Sequence, residues 1–176
     1  MRTVNAVTTS WPGVHVSGLS FAAVAESELD AVHRYLVFLT GNRTIAEDLT
    51  AETFEKAFRS WRRFDPRRGT PRAWLCRIAR STALDHFRSE ERRHRREERY
   101  AAAAPEAEEP ELGPSAIEAA LLRLTAAERE VVALRVLLDL DGPTAARVLG
   151  ISPTACSTRL GRALKRLEEM MRDAGD

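Results

Sequence analysis

Cysteine is scarce in this 176-residue chain: only Cys76 and Cys156 occur, each inside a helical pattern. That count excludes a disulfide framework and fits a reducing cytoplasm. Cys76, His86 and His94 lack the compact spacing of zinc ligands, so neither a metal nor any other cofactor is expected. No apolar run approaches the ~20 residues that span a bilayer. Trp11-Pro12-Gly13 also breaks the stretch where the apolar part of a leader would lie, so no membrane association is expected. Phosphate loops and nucleophile elbows are missing too. Ser81, Asp85 and His86 lie close in sequence, but the adjacent Asp85 and His86 point apart, whereas a triad is built from converging side chains. The chain does not read as an enzyme. Strand-like alternation and internal repeats are likewise missing, which leaves an all-α fold. Lysine is nearly absent (Lys56 and Lys165), so arginine carries the positive charge.

The formal net charge of +1 hides a sharp partition. Residues 1–54 carry a net of −3, and residues 55–99, with 15 basic against 7 acidic side chains, carry +8. Residues 100–130 return to −5 and residues 131–176 to +1. A basic middle of this kind is the electrostatic footprint of a phosphate-backbone binder.

Punctuation divides the chain. Residues 1–20 lack periodicity and read as a flexible extension. Val24, Leu29, Val32, Leu36 and Leu39 mark a helix or two ending near Gly41-Asn42. Thr44 and Glu47 form a capping box that opens a helix to about Arg63, with Ile45, Leu49, Phe54, Phe58 and Trp61 as its buried stripe. Asp65-Pro66 and Gly69 make a loop. Pro71 then starts a long helix that fades into the charge run Arg88 to Arg99. Residues 100–116, rich in alanine, proline and glutamate, cannot build a core and read as a flexible linker. Ile117 to Leu124 forms a short helix, and a second capping box, Thr125 with Glu128, opens an apolar helix through Leu138. Two small helical domains are expected, over residues 21–99 and 117–172.

The last part reads as a helix-turn-helix. Asp141 is placed to cap a short helix with Pro143 in its first turn, and Gly150 stops it. Ser152-Pro153 starts the next helix, whose apolar positions are Cys156, Leu160, Ala163, Leu164 and Leu167. Its other face carries Ser157, Thr158, Arg159, Arg162 and Lys165, suited to a DNA groove.

Two further constellations stand out. Asp48, Glu52, Glu55 and Arg59 align along one helix face, which by itself suits either a solvated surface or a basic partner helix. Arg67, Arg68, Arg72, Arg77, Arg80 and Arg88 are interleaved with Trp61, Phe64, Trp74 and Phe87. Cations for phosphates beside π-faces for unstacked bases suit single-stranded DNA, although Phe54, Phe58 and Trp74 also suit a core.

In this order these segments resemble bacterial RNA polymerase sigma factors, specifically the small extracytoplasmic-function (ECF) group of the sigma-70 family. The resemblance rests on Ala46-Glu47-Asp48-Leu49 through Glu52-Thr53-Phe54, on Trp74 to Arg80, and on Leu84 to Arg88. In the second part it rests on Glu128 to Val131, Leu134-Arg135, Leu149 to Ser152, and Ser157 to Leu160. It implies a region 2 domain whose acidic row (Asp48, Glu52, Glu55, Arg59) docks on the clamp coiled coil of the polymerase β′ subunit. It implies that Arg67, Arg68, Arg72, Trp74, Arg77, Arg80, Ser81 and Arg88 open and read the promoter −10 element. It implies a region 4 domain that reads the −35 duplex through Ser157, Thr158, Arg159, Arg162 and Lys165 and touches the β flap. Core polymerase and promoter DNA are the implied partners, with an anti-sigma factor as a further one. Ala51 stands where the family usually has glutamine, and Ser81 where asparagine is usual. Gly142 to Ala145 and Pro153 to Cys156 also depart from the usual pattern. The alternative from the residues alone is a stand-alone regulator that binds duplex DNA through Asp141 to Arg166.

Overall fold

The computed structural model describes residues 15–16, 19–100, 120–121 and 123–173. The fold is all-α apart from a two-residue antiparallel pair, β1 (His15–Val16) and β2 (Leu19–Ser20). That pair lies within the stretch expected to be an unstructured extension. The rest of that stretch, the linker and half of the expected helix from Ile117 to Leu124 lie outside the described residues.

Helix α1 (Phe21–Thr40) ends at Gly41, whose φ of 65° is a left-handed conformation that costs glycine little. The Gly41 N–H donates to the Val37 carbonyl at 2.9 Å. Helix α2 (Arg43–Ser60) follows at once, and its N-cap is Asn42 rather than the expected Thr44–Glu47 box. Asn42 has extended backbone and accepts the Ile45 N–H on Oδ1 at 3.0 Å, while Thr44 is already inside the first turn. Two 3₁₀ turns, Trp61–Arg63 and Pro66–Arg68, lead to the long helix α3 (Pro71–Tyr100). This helix does not fade where the charge run begins. Ion pairs Arg88–Asp85, Arg93–Glu90 and Arg95–Glu91, spaced three or four residues apart, reinforce it.

The three helices bury Val24, Val32, Tyr35, Leu36 and Leu39 against Ala46, Leu49, Ala57, Leu75, Cys76 and Ala79. Leu29, expected inside, is 47% exposed. On α2 the buried face is Ala46, Leu49, Thr50, Thr53 and Ala57, narrower and smaller than the expected stripe. The threonines enter the core because their hydroxyls donate to the carbonyls of Ala46 and Leu49, each at 2.6 Å. Of the expected stripe, Ile45 and Phe54 are half-buried and Phe58 is exposed.

In the second unit, α4 (Ala126–Val132) begins with the expected capping box: Thr125 and Glu128 satisfy each other's backbone N–H groups. The expected apolar helix through Leu138 is interrupted. A π turn at Ala133–Leu137 gives way to Asp139, whose φ is 50°, and Arg135 donates to the Leu140 carbonyl. The wider turn changes the facing of the apolar run, so Leu134 and Leu138 are buried and Val136 points out. Helices α5 (Gly142–Leu149) and α6 (Pro153–Asp173) complete the unit.

The two units do not stand apart. The first two turns of the second unit, α4 and the π turn, pack on α1, and α5 packs on α3. One continuous apolar cluster runs from Val24 to Ala163. A sequence pattern cannot reveal this packing, because each unit already has a self-consistent apolar face.

Candidate nucleic-acid and protein-docking surfaces

Asp48, Glu52, Glu55 and Arg59 all lie on the exposed side of α2, opposite its buried face. The row is partly self-compensated. Lys56 approaches Glu52 at 2.7 Å and Arg59 approaches Glu55 at 2.6 Å, while Asp48 makes no ion pair among the described residues. Exposed pairs of this kind contribute only ~0–1 kcal/mol, so a basic partner can replace them at small cost. Lys56, which the sequence did not single out, also donates to the buried Thr82 hydroxyl at 3.2 Å and ties α2 to α3.

The loop after α2 is built around Asp65. Its Oδ1 accepts the Arg67 N–H at 2.9 Å, and Gly69 (φ 154°) turns the chain into α3. This leaves Arg67 and Arg68 exposed. The aromatics largely serve one another. Trp61 and Phe64 are buried and stacked, with ring centroids 5.0 Å apart and 8° between planes. Trp74 meets them at 5.7 and 5.3 Å and is itself half-buried, while Phe21 closes the cluster against Phe54, Phe58 and Trp61. The expectation of a free π-face therefore fails for Phe64, and Trp61 follows the buried stripe expected of α2 instead; Phe87, at 40% exposure, keeps an open face.

The arginines of α3 divide by partner. Arg72 donates to Glu28 of α1 at 2.7 Å and Arg88 to Asp85 at 3.4 Å. Arg77 and Ser81 are exposed. Arg80 turns across the seam to the second unit, where Nε and Nη2 bond the two carboxylate oxygens of Glu130 at 3.0 and 3.2 Å. The Tyr35 hydroxyl lies buried without a partner, and burial followed by the nearby Glu130 charge raises its pKa well above the usual phenol range. Beside this pair a cleft of about 120 Å³ separates the units, lined by Arg63, Arg68 and Arg77 on one side and Thr144 and Arg147 on the other. Arg63 and Arg147 were not among the sequence candidates; only their convergence in space marks them.

The helix-turn-helix forms as its punctuation requires. Asp141 accepts the Thr144 N–H and hydroxyl, each at 2.8 Å, and Thr144's backbone N–H is the main reason its carboxyl titrates below the usual range. Gly150 closes α5 with φ 70°, and the Ser152 hydroxyl accepts the Ala155 N–H at 3.1 Å to open α6. Cys156 and Ala163 are buried, whereas Leu164, expected inside, is 45% exposed because it lies round the helix from the stripe Cys156, Leu160, Ala163, Leu167 and Met170 that faces the core. Ser157, Thr158, Arg162 and Lys165 are exposed and Arg159 is half-exposed. Thr158, Arg159 and Arg162 share an open groove with Thr125, Ser152 and Thr154. Arg166, one turn on, instead donates to Glu128 at 2.8 Å. The Glu128 carboxyl is held below its usual range first by the Thr125 hydroxyl and backbone N–H, with Arg166 adding to the effect.

Cys76 and Cys156 are both buried and unbridged. Burial pushes the Cys76 thiol up to about 12, so it stays protonated. Among the described residues no group of histidine, cysteine and carboxylate side chains is placed to hold a metal ion, and no helix is long and apolar enough to cross a membrane.

Comparison with known proteins places these surfaces in context. Residues 24–93 match Sigma-70 region 2, and residues 115–167 match Sigma-70, region 4. The chain is 34% identical over 161 residues to the ECF RNA polymerase sigma factor BldN of Streptomyces coelicolor, covering 88% of this chain and 61% of BldN. It is 32% identical to the RNA polymerase sigma factor CarQ of Myxococcus xanthus, with 80% of this chain and 82% of CarQ covered. Its fold resembles that of CnrH solved in complex with the cytosolic domain of CnrY, with a TM-score of 0.65, 26% identity and 89% of each chain covered. The chain thus spans about three-fifths of BldN and most of CarQ.

Proposed function

The chain belongs to the ECF group of sigma-70 RNA polymerase sigma factors, and from that membership we propose that it binds core polymerase, recognises a two-part promoter and assists its opening. The observation that carries this reading is the presence of both regions in one chain, in the order that a two-part promoter requires. A stand-alone regulator would leave the first match unexplained. It acts by binding and does no bond chemistry itself.

The division of labour follows from the surfaces. In this reading Asp48, Glu52, Glu55 and Arg59 dock on the β′ clamp coiled coil, and the second unit also touches the β flap. Arg67, Arg68, Arg72, Trp74, Arg77, Arg80, Ser81 and Arg88 engage the −10 strand once its bases leave the stack, a step costing a few kcal/mol. Ser157, Thr158, Arg159, Arg162 and Lys165 read the −35 duplex in the major groove. The −10 side relies on cations more than on stacking, since Trp61 and Phe64 are committed to the core. We take region 2 to extend over residues 21–99 and region 4 over 117–172, with 100–116 as the tether that raises their effective concentration on one DNA. The protein acts in the cytoplasm, where polymerase is, and an anti-sigma factor is a further partner. CnrH, solved with the cytosolic domain of CnrY, supports that partner class.

Run-off transcription tests the reading. Purified core polymerase on a pool of promoter fragments should yield discrete transcripts only when this protein is added. Identical transcript patterns with and without it would overturn the proposal.

A further inference from the structure

We infer that the second unit is an internal occupant of the first unit's strand-binding face, with Glu130 standing where a DNA phosphate would meet Arg80. The inference rests on the assignment of α3 to the −10 strand made above. It adds that the free chain keeps the part of this face around Arg80 covered, while Arg67, Arg68, Arg77, Ser81 and Arg88 stay exposed.

The geometry of the pair is the starting point. Arg80 presents Nε and Nη2 side by side to the two oxygens of Glu130, at 3.0 and 3.2 Å. A guanidinium binds phosphate through the same planar fork, so the carboxylate satisfies the donors that a strand would need. The pair is sheltered, with side chains only 27% and 10% exposed. Breaking it without a substitute would strand a charge in a poorly hydrated place. A phosphate arriving at Arg80 must therefore displace Glu130, and Glu130 must reach water.

Two neighbouring features give the contact the character of a reversible cover. The α3 residues Trp74 and Arg77, about two turns and one turn before Arg80, line the cleft against Thr144 and Arg147 of α5. Any strand following α3 would cross ground that α5 now occupies. The cleft is lined by four arginines (Arg63, Arg68, Arg77 and Arg147) against one carboxylate, Asp65, so positive charges are in excess there. A permanent interface would be expected to neutralise them; an anionic strand would do so on entry. The face of α6 assigned to the duplex is not covered, since Ser157, Thr158 and Arg162 remain exposed. The closed chain thus offers its duplex reader while covering the part of its strand reader around Arg80. Separation of the units becomes a step that precedes −10 capture, and its cost lowers the apparent affinity of the free protein for single strands.

The test uses the full chain. Small-angle X-ray scattering reports the radius of gyration, and fluorescence anisotropy reports binding of a labelled random-sequence 12-nucleotide single-stranded DNA. Glu130→Gln keeps the shape and removes the charge, and Glu130→Arg reverses it. Glu168→Arg adds the same charge on α6 away from the seam. The Glu130 variants should retain wild-type helical circular dichroism, expand the chain and bind the strand roughly tenfold more tightly. Arg80→Glu combined with Glu130→Arg should restore the compact radius without the gain in strand binding. Wild-type radius and affinity in both Glu130 variants would overturn the inference, as would an equal gain from Glu168→Arg. Expansion without tighter strand binding would also overturn it, because the seam would then cover no strand site. The parent reading is judged separately: loss of promoter-dependent run-off by the wild-type protein would sink the sigma assignment, whatever the scattering shows.

Discussion

Arg166 donates to Glu128 Oε2 at 2.8 Å across 38 residues of sequence, joining the helix of the duplex reader to the capping box of α4. The same oxygen accepts the Thr125 N–H at 3.0 Å and its hydroxyl at 2.8 Å. One carboxylate therefore both starts a helix and fixes the angle at which α6 leaves the unit. Orientation of the reading face depends on it.

The first prediction concerns this clamp. Arg166→Ala should weaken −35 duplex binding without changing which base pairs are preferred, because Arg166 positions α6 rather than touching base edges. Thr125→Ala should lower stability by about 1 kcal/mol, the usual effect of losing an N-cap side chain. Competition binding against a panel of single-base variants separates the two roles. A shift in preference with Arg166→Ala would make it a reader instead.

Acid should loosen the second unit. Glu128 and Asp141 both have carboxyl pKa values below their ordinary ones in the folded chain. Their contribution is therefore complete above the unfolded carboxylate range, about 4, and is lost as pH falls through the lower folded values. Thermal melts of wild type and Glu128→Gln should differ clearly at pH 7 and converge as the pH falls through the lowered range of the folded carboxyl. Curves with a constant separation would exclude the linkage.

The acidic row of α2 should be a docking surface. Asp48→Lys with Glu52→Lys should weaken the complex with core polymerase while helical circular dichroism stays unchanged. Each exposed pair contributes only ~0.2–1 kcal/mol, so the double change is the informative one. Equal affinity of wild type and double variant by co-sedimentation would remove the assignment.

Arg159→Ala should reduce duplex binding by roughly 1–3 kcal/mol with relaxed specificity at one base pair if it reads a guanine edge. If Arg159 meets only a phosphate, the loss should be uniform across sequences and the salt slope should fall by about 1. Unchanged −35-dependent transcription in both Arg159→Ala and Arg162→Ala would move the reader off this face.

The loop from Phe64 to Thr70 should influence −10 preference, because it leaves Arg67 and Arg68 exposed beside α3. Exchange of this loop for that of a related sigma factor should transfer −10 preference and leave −35 preference and polymerase binding intact. An unaltered −10 preference would place the specificity on α3, near Arg77, Arg80 and Ser81.

Local chemistry was legible in the chain. Asp141, Gly150 and Ser152 set the helix-turn-helix because caps and left-handed glycines act within four residues, where sequence and structure coincide. The Thr125–Glu128 box is legible for the same reason. Asn42 shows the limit: the Thr44–Glu47 pattern pointed two residues too far along, and with the left-handed turn at Gly41 the cap falls at Asn42. The π turn at Ala133–Leu137 could not be read, since an unbroken apolar run is compatible with either hydrogen-bond register. The exposed row on α2 and the reading face of α6 followed from helical period, because a helix displays what its neighbours do not bury.

What tertiary structure alone decided is who meets whom. Helical period already places Trp61 in the buried stripe of α2, but Phe64 looks like a stacking platform in sequence, and only its packing on Trp61 and Trp74 commits it to the core. Arg72 and Arg80 carry the same charge on the same helix, yet one is held by Glu28 and the other by Glu130, fifty residues away. Ion pairing at that separation depends on the packing of whole helices, and no periodicity records it. Local pattern sets most of the helices, their order and the kinds of surface they display. The packing of α5 on α3 determined which of those surfaces the free chain leaves open.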